Sequence, residues 1–257
     1  MMMNIHKLKL AGIGLAACLL AVFLGSSQTP ESQGKGFESI FNGKNLEGWE
    51  FDPVYWSVKD GAIVGEITPE TVLKANTFII WKGGEPADFE LKLDYWISEK
   101  GNSGVQYRSD RVAEVPFALR GYQADIDGAN RYTGQNYEER KRTTLAYRGQ
   151  KTQITSQPDS ITETRAFVER NAWKGLNVVS ELGDREELGK MIKANDWNAI
   201  RIVAKGNVLQ HYVNGTLMSE VHDEDAKNRM TKGMMGFQVH VGPPMKVMFK
   251  NIELKKL

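Results

Sequence analysis

Apolar and polar residues alternate in short runs along most of the chain, a pattern typical of strands with one buried face. The clearest run is 89–97, in which Phe89, Leu91, Leu93 and Tyr95 share one face. Similar runs predict further strands at 55–64 (two strands with a turn at 59–62), 103–109, 121–127, 145–148, 199–204, 208–213, 217–221, 236–241 and 246–254. Helical periodicity is confined to 162–173 and 184–192.

Turn signals separate these runs. Asn214 and Gly215 lie between two of them, and both residue types tolerate the positive φ of a type I′ hairpin turn. Many short strands, 25 glycines and few helical segments indicate an all-β fold, a sandwich or jelly roll. We predict a single domain over residues 36–257.

The first 35 residues follow a different pattern. Lys7 and Lys9 precede an unbroken apolar stretch at 10–24, and small polar residues follow, as in a secretory signal peptide. The stretch is short for a membrane span, which needs ~20 residues, so an uncleaved anchor is the less favoured alternative. We predict a signal peptide over 1–27 with cleavage after Ser27, and a polar linker over 28–35. A lipobox at 15–18, ending in Cys18, is a second possibility. In either case the domain would work in the periplasm or outside the cell, as a lipoprotein if Cys18 is acylated.

Charge and motifs exclude several classes of protein. The chain has 33 Lys plus Arg and 32 Asp plus Glu, so it lacks the basic excess of a general nucleic-acid binder. The single Cys18 excludes an intrachain disulfide and a cysteine zinc site. There is no Walker loop, GxGxxG, GxSxG or HExxH motif, so no nucleotide cofactor is expected. The ExDxxE ladder of laminarinase-type glycosidases is also absent.

Three predicted strands carry unusual polar residues on the face opposite their apolar residues. If the apolar residues point into the core, the polar ones line one outer surface of a sheet. This set consists of Gln106, Arg108, Gln123, Asp125, Asp127, Gln238 and His240. Amides, carboxylates and a guanidinium suit a polyhydroxylated ligand, because they offer donors and acceptors in fixed geometry. An ordinary solvated sheet face is the alternative.

The segment 130–142 is dense in charged and aromatic residues. It contains Tyr132, Tyr137, Glu138, Glu139, Arg140 and Arg142. One interpretation is a mobile charged loop, since charge runs are usually solvated. The other is a loop folded over the sheet face, with aromatics to stack on a sugar and a Glu as acid or base.

Among the histidines, His240 is the best functional candidate because Gln238 shares its face and a Gly-Pro-Pro sequence ends its strand. His211 and His222 are more typical of packing or surface positions. A divalent metal held by oxygen and nitrogen ligands is chemically possible. Its candidate ligands are Asp125, Asp127, Glu138 and His240, although they form no contiguous metal motif.

Residues 41–49 (FNGKNLEGW) resemble the opening "lFNGkdLsGW" of the 3-keto-disaccharide hydrolase domain family. Further matching marks follow in the same order at Trp56, 60–61 (DG), 88–91 (DFEL), 101–108 (GNSGVQYR), 121–123 (GYQ), 196–198 (DWN), 214–215 (NG), 236–240 (GFQVH) and 249–252 (FKNI). The resemblance spans about residues 37–257. It implies a concanavalin-like jelly roll of two antiparallel sheets, common in secreted proteins of glycan-degrading bacteria.

The implied activity is cleavage of glycosides already oxidised to a ketone at sugar C3. Such a ketone acidifies the C2 proton, and its removal allows the C1 aglycone to leave before water adds. The base would be His240, Glu138, Asp125 or Asp127, and Arg108 or a divalent metal would stabilise the enolate. Substrate would be bound by Asn102, Gln106, Gln123, Tyr137, Glu139, Arg140 and Gln238. A separate sugar 3-dehydrogenase would have to make the keto substrate.

The chain departs from the family at one strand. Many members read "GyEvQilD" where this chain reads GYQADID, so the usual Glu aligns with Gln123 and the usual Gln with Asp125. The carboxylate has moved two residues along the same strand face, which indicates a subgroup. We therefore keep two alternatives to a 3-keto-glycoside enzyme: a non-catalytic carbohydrate-binding module and a conventional glycosidase.

Overall fold

A computed structural model of the protein describes residues 36–71, 73–157 and 173–257. In chain order its strands are β1 (Glu38–Ser39), β2 (Trp49–Glu50), β3 (Trp56–Lys59), β4 (Ala62–Ile67), β5 (Thr77–Trp81), β6 (Phe89–Ile97), β7 (Asn102–Arg111), β8 (Leu119–Asp127), β9 (Asn136–Glu139), β10 (Thr143–Ala146), β11 (Gln150–Ile154), β12 (Leu176–Glu181), β13 (Asn198–Lys205), β14 (Val208–Val213), β15 (Thr216–Asp223), β16 (Met234–Val239) and β17 (Met245–Lys256). A five-residue helix, α1 (Arg185–Gly189), begins after Asp184, whose carboxylate caps two backbone N–H groups.

The strands form two sheets. The larger follows the order β12-β11-β15-β14-β13-β6-β17-β4-β3, with β1 paired to β17. The smaller follows the order β10-β9-β8-β7-β16-β5-β2. The strand pairs are antiparallel except β11 and β15, which run parallel. The all-β jelly-roll sandwich is therefore confirmed, with one parallel pair added to the predicted antiparallel sheets.

The core lies between the sheets and uses the alternation seen in the sequence. Phe89, Leu91, Leu93 and Tyr95 of β6 are all buried and belong to one large apolar cluster. Both predicted hairpin turns occur with positive φ, at 60–61 and 214–215. These turns fix the register of the flanking strands, because a two-residue loop allows only one pairing of the residues on either side of it.

Some sequence-based predictions fell short. The predicted helix at 184–192 is only α1, and the one at 162–173 lies almost wholly outside the described residues, as do the signal peptide and linker. Strands β1, β2, β5, β9, β11 and β12 were not predicted. Among the residues that the structure describes, no helix is long and apolar enough to span a membrane.

Candidate functional site

The outer face of the smaller sheet carries a cavity of about 480 Å³ beside two carboxyl groups. Tyr122, Ala124 and Ile126 of β8 point into the core, so Gln123 and Asp125 face the opposite side. The cavity is lined by Asn102, Gln123, Asp125, Tyr132, Gln135, Tyr137, Glu139, Thr143, Thr144, Tyr147 and His240. We call it the carboxyl cavity.

Asp125 is the acid in this cavity whose pKa is shifted most. It is 7% exposed, and its two oxygens accept hydrogen bonds from Gln123 Nε2 at 2.7 Å and Gln135 Nε2 at 2.5 Å. Burial raises the pKa of Asp125 to about 7; the two amides oppose this rise, and the charges of Glu139 and Asp127 add to it. In the described residues no salt bridge reaches Asp125. A carboxyl group with a pKa near neutrality can give or take a proton at physiological pH.

Glu139 provides a second carboxyl group from β9. Burial raises its pKa, while a hydrogen bond from Asn76 Nδ2 at 3.1 Å and the nearby Arg140, His240 and Gln238 oppose the rise. Arg140 lies 3.7 Å from Glu139 at the solvent-exposed rim, where its charge is screened. Within the described part of the chain, neither carboxyl group is paired with a buried cation.

Tyr137 and His240 complete the ionisable groups of the carboxyl cavity. Burial, with Glu139 and Asp125 nearby, raises the pKa of Tyr137 to about 12, so its hydroxyl stays protonated. His240 is half-buried at the end of β16, and its Nδ1 lies 2.6 Å from Val241 O.

Buried amides beside the cavity keep unused polar atoms. Gln123 Oε1 and Gln135 Oε1 have no hydrogen-bond partner within the described part of the chain. A buried polar atom without a partner is costly, so its presence needs an explanation, and a functional role is one of those known. Gln123 lies across Gly104, where a Cβ atom would come within 2.4 Å of its side chain, so the glycine makes room for the amide.

Arg108 was wrongly placed on this face. A bulge in β7 between Tyr107 and Asp110 interrupts the alternation, and Arg108 has a φ of 43°. Its guanidinium donates to Ala87 O, Gly206 O and Asp88 Oδ1, away from the carboxyl cavity. Gln106, on the same strand, is fully buried, with Nε2 donating to Gly121 O, and does not line the cavity.

Glu138 was also wrongly placed, because 136–139 is a strand rather than a loop. Successive residues of β9 alternate between faces, so Tyr137 and Glu139 reach the carboxyl cavity while Glu138 points between the sheets. There Glu138 pairs with Arg142 at 2.5 Å. The prediction of a mobile charged loop is therefore wrong for β9. The alternative, a segment that folds over the sheet face, holds only for Tyr137 and Glu139, which reach the cavity.

Asp127 organises the turn that follows β8. Its carboxylate accepts hydrogen bonds from the backbone N–H groups of Arg131, Tyr132 and Thr133. The four suggested metal ligands are therefore not brought together. Among the residues described, no group of three or more His, Cys, Asp or Glu is placed to hold a metal ion. The described residues therefore do not form the four-ligand metal site that the sequence suggested.

The structure brings Asn102, Gln123, Asp125, Tyr137, Glu139 and His240 to the cavity wall. Gln238 is buried beside them, and Arg140 lies at the rim. Sequence reasoning missed Asn76, Gln135, Thr143, Thr144 and Tyr147. Only Gln135 left a signal, since it lies within the polar segment 130–142. His211 is a packing residue, as expected, and burial lowers its pKa to about 4.

Comparison with known proteins agrees with this architecture. A crystal structure of a candidate glycosyl hydrolase from Parabacteroides distasonis ATCC 8503 has a TM-score of 0.53 at 22% identity, covering 86% of this chain and 94% of its own. A second one from that organism has a TM-score of 0.51 at 20% identity, covering 86% and 99%. A galectin-like protein of unknown function from Bacillus subtilis gives 0.52 at 10% identity, covering 82% and 90%. At these identities the likeness shows the fold alone.

Among curated protein sequences, none is significantly similar to this chain. A family model does match it, over residues 36–255, which is nearly all of the described part. The match confirms the family expected from the sequence and makes this a carbohydrate-related jelly-roll protein. The chain belongs to the 3-keto-alpha-glucoside-1,2-lyase-like domain family.

Proposed function

We propose that the protein cleaves 3-keto-glycosides by elimination in the carboxyl cavity. A base removes the C2 proton, and its bonding electrons form an enolate with the C3 ketone. The enolate then expels the C1 substituent, which leaves with a proton as an alcohol. The products are a 1,2-unsaturated 3-keto sugar and the free aglycone, and water adding to the double bond gives the 3-keto sugar.

The observation that carries this proposal is Asp125, a buried carboxyl group whose pKa is raised to about 7. A base works best when its pKa lies near the working pH, since it is then both deprotonated and strongly basic. Gln123 and Gln135 hold its two oxygens and so orient the lone pairs that would take the C2 proton.

The other groups of the carboxyl cavity supply the remaining roles. Glu139, whose pKa is also raised, would protonate the departing oxygen. The protonated hydroxyl of Tyr137 would donate to the enolate oxygen. Arg108 cannot take this role, because its guanidinium bonds to Ala87 O, Gly206 O and Asp88 Oδ1 away from the cavity. Asn102, Gln123 and His240 line the wall and would bind sugar hydroxyls.

The reaction also implies events elsewhere. This chain has no nucleotide motif, so a separate sugar 3-dehydrogenase would make the keto substrate. We further propose that the N-terminal 27 residues direct export, which would place the reaction in the periplasm or outside the cell.

The test is release of a chromophoric aglycone from a 3-keto-glucoside and from the unoxidised glucoside. We expect turnover of the keto substrate alone and a loss of about 100-fold or more in Asp125→Asn, the range for a general base. Glu66→Gln, a charge change in the larger sheet, is the matched control and should leave the rate unchanged. Sugar binding without turnover of either substrate would instead make this a binding module, and equal turnover of both would make it a conventional glycosidase.

A further inference from the structure

Buried hydrogen bonds connect the inner face of the larger sheet to the carboxyl cavity of the smaller one. His211 of β14 is 1% exposed, and its ring meets the ring of Tyr107 of β7 between the two sheets. His211 Nε2 lies 2.8 Å from the hydroxyl of Tyr107, and His211 Nδ1 lies 3.2 Å from Gln135 O. Packing alone requires neither bond, because apolar groups of the same shape would fill this space at little cost.

The partners of the imidazole fix its tautomer. A carbonyl oxygen only accepts hydrogen bonds, so His211 Nδ1 carries the proton and donates to Gln135 O. Nε2 then accepts from the hydroxyl of Tyr107, and Asn136 Nδ2 donates to that hydroxyl at 3.2 Å. Burial lowers the pKa of His211 to about 4, so the ring is neutral at physiological pH and keeps this arrangement.

Gln135 links this core network to Asp125. Its carbonyl oxygen accepts from His211 Nδ1 and also from Asp125 N at 3.3 Å. Its side chain lines the carboxyl cavity and donates from Nε2 to Asp125 Oδ2 at 2.5 Å. One residue therefore connects the histidine of the larger sheet to both the backbone and the carboxyl group of Asp125.

The backbone at 134–135 rests against the larger sheet. Regular pairing of β8 with β9 ends at Ala124 and Asn136, so Gln135 lies just beyond it. Gly134 has a φ of 92°, and a Cβ atom there would lie 2.8 Å from the Cβ of Met218 of β15, so glycine permits this close approach. His211 supplies the hydrogen bond from the larger sheet at this point.

We propose that His211 is a positioning residue for Asp125 and acts through Gln135. This inference rests on the proposed function, in which Asp125 is the base. By holding the carbonyl of Gln135, His211 fixes where the amide of that residue meets Asp125 Oδ2 and so orients the lone pairs that would take the C2 proton. A misplacement of about 1 Å at such a contact can lower a rate by ~100-fold.

Two amide substitutions separate this role from packing. An asparagine places its amide nitrogen near the position of Nδ1, whereas a glutamine places its amide near Nε2. His211→Asn should keep the donation to Gln135 O and lose the acceptor for Tyr107, and His211→Gln should do the reverse. Each variant loses one buried hydrogen bond, so urea unfolding should show similar losses in the free energy of unfolding.

The readouts are kcat/KM for a 3-keto-glucoside and the titration of the Asp125 carboxyl carbon by NMR, which needs no substrate. The hydrogen bond from Gln135 opposes the rise in the pKa of Asp125. Its loss in His211→Gln should therefore raise that pKa further and lower kcat/KM by about tenfold or more. His211→Asn, the conservative variant, should keep both values close to those of the unmodified protein. The other ionisable groups around Asp125 are common to both variants: Asp127, Tyr137, Glu139 and His240.

The outcomes separate the positioning role from the proposed function. Equal shifts of the Asp125 titration in the two variants, or no shift in either, would show that His211 only packs. If His211→Gln does not fold, the ¹⁵N chemical shifts of His211 in the unmodified protein decide between the two, because a proton on Nε2 instead of Nδ1 would exclude the donation to Gln135 O. Absence of turnover of the keto substrate would reject the proposed function alone, since the Asp125 titration would still show whether His211 positions this carboxyl group.

Discussion

Glu138 and Glu139 are adjacent on β9 and both are buried, but their side chains point to opposite faces of the strand and meet different charges. Glu138 points between the sheets, where Arg142 bonds to it and also reaches Asp223 at 2.7 Å and Asp225 at 3.4 Å. Glu139 points to the carboxyl cavity, where its nearest cation is Arg140 at the exposed rim. One strand therefore presents a compensated acid to the core and a poorly compensated acid to the site.

These surroundings distinguish buried charges that stabilise the fold from buried acids that are available for chemistry. Burial alone would lower the pKa of Arg142, but Glu138 and Asp223 raise it well above its usual value, so the arginine stays charged. Asp125 has no such partner among the residues that the structure describes, and burial raises the pKa of this acid instead. A fold that bears the cost of burying acids without cations is expected to gain function from it.

The largest effect should come from removing the cation of the compensated region. Arg142→Met leaves the carboxylates of Glu138, Asp223 and Asp225 buried without the guanidinium that pairs with them. Removing one partner of a buried ion pair lowers the free energy of unfolding by about 3–5 kcal/mol. Urea unfolding should show this loss in the free energy of unfolding. Glu66→Gln, which breaks an exposed pair with Lys246, is the control and should cost less than about 1 kcal/mol. Equal losses in the two variants would show that the interior cluster is no more than a surface pair.

Much of the fold could be predicted because its strands alternate regularly. β6 was predicted with its observed bounds, and the hairpin after β14 with its turn residues. β11 and β12 were missed because their apolar runs are short and are interrupted by polar residues. The parallel pairing of β11 with β15 is a tertiary arrangement that no local pattern encodes.

The site was predictable only where alternation holds. Gln123, Asp125 and Gln238 were placed correctly beside one another because β8 and β16 are regular there. Arg108 failed at a bulge, where one extra residue shifts the side-chain direction. Glu138 failed because the charge-rich segment was read as a loop. The choice between Glu138 and Glu139 depends on knowing that β9 is a strand.

A second test concerns the stability cost of the uncompensated acid. The pKa of Asp125 is raised from 3.8 to about 7, so between these values the native state binds more protons than the unfolded state. Stability therefore falls as pH rises from about 4 to 7, by up to about 4 kcal/mol. An asparagine does not titrate, and Gln123 or Gln135 can turn its amide to meet it, because the Oε1 atoms of both have no other partner in the described residues.

We expect Asp125→Asn to gain stability relative to the unmodified protein as pH rises from 4 to 8, measured by urea unfolding at each pH. The comparison cancels the other acids, which titrate in both proteins. If the difference in the free energy of unfolding between the two proteins stayed constant across this range, the pKa of Asp125 in the folded protein would not be raised toward neutrality.

The smallest effect should appear in the coupling between the two acids of the carboxyl cavity. The charge of Glu139 contributes to the raised pKa of Asp125, so Glu139→Gln should move that pKa downward, while burial and Asp127 keep it above its usual value. If Asp125 is the base, kcat/KM for a 3-keto-glucoside rises with pH through this pKa, and the rising limb should move to lower pH in the variant. The position of the limb is independent of the lower rate expected from losing the proposed acid. Glu66→Gln should leave the limb in place. A limb that stays fixed in Glu139→Gln would mean that the titrating base is a group other than Asp125, and His240 would then be the next residue to substitute.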